Sequence, residues 1–185
     1  MNDDRLTAQD WVNAGLKALA TSGFTALKAD LLSKALGVSR GSFYWHFADV
    51  GAFHTAVLQR WRAIAYDQVV REVEGAAENR LAALLQRAFG ADARLEMAVR
   101  SWATAEPQAS AMIEAVDAKR LRYIRDLLVE AGLASDVASA RSRILYWTYL
   151  GHGLSARPPA PAERRRILDE LAGLATAPDR RTYTP

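Results

Sequence analysis

Cysteine is absent from this chain of 185 residues. Disulfide bonds, thiolate zinc sites and cysteine nucleophiles are therefore excluded. No apolar run approaches the roughly 20 residues that a membrane-spanning helix requires, so we expect no membrane span. The first residues, MNDDRL, are acidic and polar, unlike a signal peptide, and predict a cytoplasmic protein.

The excess of positive over negative charge is also small. The net charge is only +3, and the first 60 residues carry three Lys and three Arg against five Asp. A strongly basic surface is the usual electrostatic footprint of a nucleic-acid-binding protein. Any binding of nucleic acid must therefore depend on where a few basic side chains are placed.

Signatures of catalysis and of metal binding are missing as well. His46 and His54 lie eight residues apart with no third ligand at metal spacing, and the third histidine, His152, is remote in sequence. The chain has no G-x-S-x-G, phosphate-binding loop or dinucleotide fingerprint. An enzyme would have to assemble its catalytic groups from scattered residues. We expect no enzyme activity, no metal and no cofactor.

The clearest pattern is the stretch Lys28–Phe47, which reads KADLLSKALGVSRGSFYWHF. Leu32 and Leu36 lie four residues apart and share one face of a helix. Gly37 follows at once, where a left-handed residue commonly ends a helix. A second helix follows after three residues, so the stretch predicts a helix-turn-helix motif.

The second helix of this motif carries aromatic residues that its own packing does not require. Ser39 is a suitable N-cap, and Phe43 and Phe47 point inward together. At about 100° per residue, Trp45 and Gly41 lie on the opposite side, where a glycine allows another backbone to come close. A DNA major groove, about 12 Å wide, admits such a helix. The alternative is that these aromatic residues cover a neighbouring helix.

The sequence GVSRGSFYWHF, between an amphipathic helix and a long one, resembles the tetracycline-repressor (TetR) family of bacterial transcription regulators. The resemblance is specific from about Leu6 to Val57. It implies that Tyr44 contacts a DNA phosphate and that Lys28 contacts the DNA backbone. The residues that we assign to DNA contact are Lys28, Ser39, Arg40, Gly41, Ser42, Tyr44, Trp45 and His46.

Two positions depart from the family pattern. A lysine that often follows the motif's His-Phe and binds a phosphate is missing, because this chain reads Ala48-Asp49-Val50-Gly51 there. The N-terminus of the next helix can still bind phosphate. The usual small alanine of the first motif helix is Ser33, which is similar in size.

The rest of the chain predicts helices and no strands, and hence an all-α fold with a three-helix DNA-binding head and a larger helical body. Thr7 to Asp10 has the spacing of a capping box, and the first helix should end at Gly23. Asp49 should cap a long helix that runs to about Val73, before a break at Glu74–Asn79. Body helices are predicted at 78–89, 91–105, 108–131, 136–156 and 161–175. The predicted domains are 1–50 for DNA binding, 51–75 as a linking helix, and 76–185 for effector binding and dimerisation.

The resemblance also implies a small-molecule effector site in the body. An apolar pocket with a few polar groups suits such a ligand. The candidate residues are Met97, Arg100, Trp102, Tyr123, Trp147 and His152. For each of them the alternative is ordinary core packing.

The last two helices predict a homodimer. Ile144, Leu145, Thr148 and Gly151–Gly153 share one segment, and the last helix carries a stripe of Ile167, Leu168, Leu171 and Leu174. Two such helices from each subunit would close a four-helix bundle. We therefore expect a ligand-responsive repressor that binds an operator as a dimer. The alternatives are an activator or effector-independent DNA binder, or a helical protein–protein adaptor.

Overall fold

A computed structural model describes residues 6–76 and 79–178, and within these ranges the chain is helical with no strand. The helices are α1 Ala8–Ser22, α2 Ala29–Leu36, α3 Arg40–His46, α4 Val50–Arg62, α5 Val69–Glu74, α6 Arg80–Gly90, α7 Arg94–Ala103, α8 Pro107–Glu130, α9 Ser135–Gly153 and α10 Pro161–Thr176. A 3₁₀ turn, Phe24–Ala26, follows α1, and a π-helical segment, Ala63–Gln68, joins α4 to α5. The all-α prediction is confirmed. The body helices begin and end within a few residues of the expected positions, except that the expected start at residue 78 lies outside the described residues.

The chain forms two compact units, whose division does not follow the order of the sequence. The first unit contains α1 to α4 and, in addition, the segment Asp92–Glu114 with α7 and the start of α8. The second unit runs from Tyr66 to Ala91 and resumes at Ala115. The boundaries expected at residues 50 and 75 divide the chain in sequence order and would assign α7 to the body. In the structure α7 packs extensively against α1 and belongs to the first unit. The functional domain assignment remains a prediction.

Helix α1 is closed at both ends as its sequence predicts. The Thr7 side chain accepts a hydrogen bond from the Asp10 backbone N–H, and the Asp10 carboxylate accepts one from the Thr7 backbone N–H at 2.8 Å. A hydrogen bond from the Thr7 hydroxyl to the Asp10 carboxylate, at 2.6 Å, and then the bond from the Thr7 backbone N–H hold the pKa of Asp10 below its ordinary value. At the other end Gly23 has φ of 75°, a backbone conformation that glycine adopts without steric cost.

Aromatic rings form the core of the first unit. Trp11 is fully buried and meets the ring of Phe43 edge-on, with 5.4 Å between the ring centroids. The ring centroid of Phe53, on α4, lies 5.2 Å from that of Phe43 and 5.1 Å from that of Phe47. Edge-to-face packing of this kind stabilises a core beyond the area that it buries. The core therefore fixes α3 between α1 and α4.

Helix α7 joins the first unit through Trp102. The Trp102 ring stacks on the ring of Phe24, with 5.0 Å between the ring centroids, and meets the ring of His54 edge-on, with 5.3 Å between the centroids. A ring nitrogen of His54, Nε2, lies 3.1 Å from the carbonyl oxygen of Leu27. These contacts explain why a helix that is distant in sequence belongs to this unit.

The second unit encloses an apolar core between α6, α8, α9 and α10. Its buried residues include Leu81, Phe89, Leu128, Leu145 and Leu168. Arg141 of α9 donates hydrogen bonds to the carbonyl oxygens of Ala175, at 2.9 Å, and of Ala177. These bonds satisfy carbonyl groups at the end of α10, which have no partner inside a helix.

Charged side chains tie α5 to its neighbours in the second unit. Hydrogen bonds from Arg87 and then Gln68 lower the pKa of Glu72. Hydrogen bonds from Tyr123, at 2.6 Å, and from Arg80 lower the pKa of Glu74. Burial and the bond to Glu74 raise the pKa of Tyr123 well above its ordinary value. The ionised form of both carboxyl groups is therefore favoured in the folded protein.

Candidate nucleic-acid interface

The turn between α2 and α3 has the geometry that the sequence predicts. Gly37 adopts the left-handed conformation, with φ of 69° and ψ of 26°. The Val38 N–H donates to the Ser33 carbonyl oxygen at 3.0 Å, which closes the end of α2. Helix α3 begins directly after Ser39, although the Ser39 side chain makes no capping hydrogen bond. The predicted helix-turn-helix is confirmed, while Ser39 marks the start of α3 by backbone conformation alone.

The inner side of the motif is apolar, as expected. Leu32, Phe43 and Phe47 are buried, and Leu36 is half-buried. Ser33 is also buried, and its hydroxyl donates to the Ala29 carbonyl oxygen at 2.6 Å. A buried hydroxyl that is hydrogen-bonded carries little penalty. The serine that replaces the usual alanine therefore fits the motif.

The outer side of α3 presents aromatic and hydroxyl groups to solvent. Trp45 is 76% exposed, which agrees with its predicted position opposite Phe43. The residues that line a concavity on this side are Ser39, Gly41, Ser42, Trp45 and His46. All five of them belong to the predicted DNA-contacting set. An exposed indole beside hydroxyl groups offers apolar contact and hydrogen bonds to base edges or phosphates.

Arg40 and Tyr44 occupy another side of α3. The Arg40 Nη2 donates a hydrogen bond to the Tyr44 hydroxyl oxygen at 3.2 Å. This bond raises the pKa of Arg40 above its already high ordinary value, so the guanidinium is charged at every accessible pH. The sequence prediction treated these two residues separately. Their spacing of four residues was the signal for a contact.

The remaining predicted contacts lie at helix starts. Lys28 is exposed and takes the N-cap position of α2 in an extended conformation. Asp49 caps α4, because its Oδ1 accepts a hydrogen bond from the Ala52 N–H at 2.7 Å. A carboxylate thus stands where the family pattern often places a lysine. It satisfies one of the N–H groups that would otherwise attract a phosphate.

The predicted effector residues fall into two groups. Met97, Arg100 and Trp102 lie on α7 in the first unit, and Tyr123, Trp147 and His152 lie on α8 and α9 in the second unit. In the first group Trp102 is buried among aromatic rings. The Arg100 Nε forms an ion pair with the Oε1 of the buried Glu96 at 2.9 Å.

In the second group, Tyr123 donates to Glu74, Trp147 is 64% exposed, and the His152 ring lies 5.2 Å from the ring of Phe89. A polar cluster that the sequence prediction missed lies beside this group. In it Tyr146 donates to the Asp117 carboxylate at 2.5 Å, and the Arg120 guanidinium lies over the ring of Tyr149. The effector assignment remains a prediction.

None of the helices over 6–76 and 79–178 combines the length and the apolar character needed to cross a bilayer. Over the same ranges, no three His, Asp or Glu side chains come together in a way that could hold a metal ion.

Residues 12–49 match the sequence profile of the family described as bacterial regulatory proteins, tetR family. No curated protein sequence is significantly similar to the chain. Among solved structures the chain is similar to NemR of E. coli in its reduced form, with a TM-score of 0.72 and 18% identity over 90% of this chain and 95% of that one.

Two further solved structures have the same fold. The ketosteroid transcriptional regulator KstR2 of Mycobacterium tuberculosis matches with a TM-score of 0.63 and 18% identity, over 95% of this chain and 94% of that one. The multidrug binding protein EbrR complexed with imidazole matches with a TM-score of 0.60 and 21% identity, over 96% of this chain and 99% of that one. At these identities the similarity establishes the fold.

Proposed function

We infer from the match of residues 12–49 to the tetR family of bacterial regulatory proteins that this chain is a sequence-specific, DNA-binding regulator of transcription. The observation that carries the proposal is α3, which buries Phe43 in the core while it exposes Trp45, Tyr44 and Arg40 on its other sides. A helix with this arrangement can enter a major groove while its scaffold stays folded. The protein acts in the cytoplasm and has no enzymatic role.

A homodimer completes the proposed interface with DNA. Helix α9 exposes Ile144 and Trp147, the residue that follows it, Leu154, is exposed as well, and α10 exposes Ile167 and Leu174. Of the stripe expected on α10, Leu168 and Leu171 pack instead into the core of their own unit. The exposed residues are thus the ones left to meet a second copy. Two heads set about 34–36 Å apart would read successive turns of the same groove.

The regulator is proposed to be a repressor that releases DNA when a small molecule binds. Two observations support an apolar or aromatic effector. In the second unit, ring contacts link Tyr146 to Tyr149, Tyr149 to Phe89, and Phe89 to His152. EbrR, which shares the fold, is a multidrug binding protein. An activator, or a DNA binder with no effector, remains the alternative within this class.

Selection of bound duplexes from a random pool tests the proposal directly. The expected result is a two-fold symmetric sequence whose affinity falls steeply as salt is raised, because phosphate contacts release counterions. The helical adaptor alternative predicts no preferred sequence, and a protein partner whose affinity depends weakly on salt. A pool that shows no enrichment after several rounds would reject DNA recognition.

An effector is tested by linkage. A compound that stabilises the protein on binding should weaken operator affinity, and the operator should weaken compound binding by the same factor. Compounds that stabilise the protein and leave operator affinity unchanged would point to the effector-independent alternative.

A further inference from the structure

Arg40 and Tyr44 form a pair on the surface of α3 before any partner binds. The Arg40 Nη2 donates to the Tyr44 hydroxyl at 3.2 Å, and the Arg40 Cζ lies 5.7 Å from the centroid of the Tyr44 ring. The guanidinium is therefore held both by a hydrogen bond and by the electron-rich ring. Neither contact contributes to the core, since both residues are exposed.

The pair lies at the edge of the proposed contact surface. At about 100° per residue, Tyr44 is turned by about 100° from the buried Phe43, and Trp45 by about 200°. The residues that line the concavity are Ser39, Gly41, Ser42, Trp45 and His46, and neither member of the pair is among them. If Trp45 faces the groove, Arg40 and Tyr44 lie where base edges meet one strand of the backbone.

We propose that Tyr44 is a positioning residue for Arg40, and that it sets base specificity by holding the guanidinium in the orientation that reads a base. This inference rests on the proposed DNA binding and deepens it. Tyr44 then determines specificity through Arg40, without contacting a base itself.

Arg40 has enough N–H donors to bind the Tyr44 hydroxyl and a base at the same time. A guanidinium carries five N–H donors, of which Tyr44 takes one. Two parallel donors are enough for the bidentate contact with the O6 and N7 atoms of guanine. A free arginine loses much side-chain freedom when it binds, whereas one that is already held loses less. The Tyr44 hydroxyl therefore increases the preference for the base that Arg40 contacts.

The Tyr44 hydroxyl also keeps a donor of its own. It accepts the hydrogen bond from Arg40, so its own hydrogen remains to donate to a phosphate oxygen. A phosphate contact by Tyr44, which the family resemblance implies, is compatible with the positioning role. Such a contact would fix Arg40 relative to the DNA backbone as well as to the helix.

The test is a selection from the random pool with four proteins, namely the wild type, Arg40→Ala, Tyr44→Phe and the double variant. Tyr44→Phe keeps the ring and removes the hydroxyl, which is both the acceptor for Arg40 and the donor available to a phosphate. At the base position where Arg40→Ala removes the preference, Tyr44→Phe should lower base discrimination by about three- to tenfold. At other base positions it should change discrimination little. In the Arg40→Ala background, Tyr44→Phe should cause no further loss at that position. Tyr66→Phe, in the second unit, is the matched control and should leave the selected sequence unchanged.

The outcomes separate this inference from the proposed function. If the wild type selects a sequence and Tyr44→Phe weakens all sequences equally and additively with Arg40→Ala, then Tyr44 contacts only phosphate and the inference is overturned. A wild type that selects no sequence overturns the proposed function, and the inference with it. In the free protein, nuclear magnetic relaxation of the Arg40 guanidinium should show greater mobility in Tyr44→Phe. Unchanged mobility would also overturn the inference.

Discussion

At the scale of single residues, exposure separates Trp45 from Trp61, as the predicted position of Trp45 opposite Phe43 led us to expect. Trp45 and Trp61 both lie on helices near aromatic neighbours, yet Trp45 is 76% exposed and Trp61 only 1%. A buried tryptophan contributes through packing, whereas an exposed one is available to a partner. Substitutions at the two positions should therefore affect different properties.

We expect Trp45→Ala to weaken operator binding by about 2 kcal/mol or more, since an exposed tryptophan at the centre of a contact surface is commonly a hot spot. The free energy of unfolding should change by less than about 0.5 kcal/mol. Trp61→Ala, the same chemical change in the core, should lower the free energy of unfolding by roughly 3–5 kcal/mol. Urea unfolding and DNA titration measure the two effects. A Trp45→Ala protein with wild-type operator affinity would exclude this residue from the interface.

At the scale of elements, the packing of α1 on α4 depends on the absence of one side chain. A Cβ placed on Gly15 would lie 2.7 Å from the Phe53 Cζ and 3.1 Å from the Val57 Cγ2. Phe53 is fully buried and cannot move aside freely. The close packing of α1 against α4 therefore requires a glycine at position 15, which the helical pattern of the sequence does not indicate.

Gly15→Ala should destabilise the protein by about 1–2 kcal/mol, because the overpacking outweighs the helix propensity that alanine gains. Gly90→Ala is the matched control, since no atom lies within 4 Å of its added Cβ. That control should be neutral or slightly stabilising. Thermal unfolding of both variants measures the difference. Equal stability of the two variants would contradict the close approach of α1 and α4.

The ion pairs of α5 predict how the free energy of unfolding depends on pH. The pKa of Glu72 and of Glu74 is lower in the folded protein than the ordinary 4.5, so the unfolded chain binds more protons as the pH falls below that value. The stability that these groups contribute is present above pH 4.5 and is lost as the pH falls through the lowered values. The Glu72→Gln, Glu74→Gln double variant should show a weaker loss of stability between pH 6 and pH 3 in urea titrations. Glu170→Gln, an exposed change on α10, serves as the control. An unchanged acid dependence in the double variant would show that these pairs are broken in solution.

At the scale of the whole molecule, the proposed dimer is tested by charge placed on exposed apolar positions. Trp147 is 64% exposed and Leu174 is 69% exposed, so Trp147→Glu with Leu174→Glu should leave the subunit folded. Unpaired charges buried at an interface weaken it by about 2–5 kcal/mol each. Light scattering should then show monomers, and operator affinity should fall with the loss of the second head.

Val129→Glu is the matched control for this test, because Val129 is an exposed apolar residue of α8. It should leave the oligomeric state unchanged. Deleting α10 would be a poorer test, since Leu168 and Ala175 belong to the core of their own unit. A wild-type protein that is a monomer in light scattering at micromolar concentration would reject the dimer.

The sequence by itself determined the local structure. The capping box at Thr7, the left-handed Gly37 and the cap at Asp49 each depend on residues within one turn, so their patterns were sufficient. The predicted resemblance to the TetR family is confirmed by the family match of residues 12–49.

Tertiary structure alone decided which helices pack together and which faces remain exposed. Helical periodicity marks an apolar face but not its partner, so it could not show that Trp102 of α7 stacks on Phe24 in the first unit. For the same reason the stripe on α10 did not reveal that Leu168 faces inward while Leu174 faces solvent. The hydrogen bond between Arg40 and Tyr44 depends on side-chain rotamers, which sequence spacing permits but does not fix.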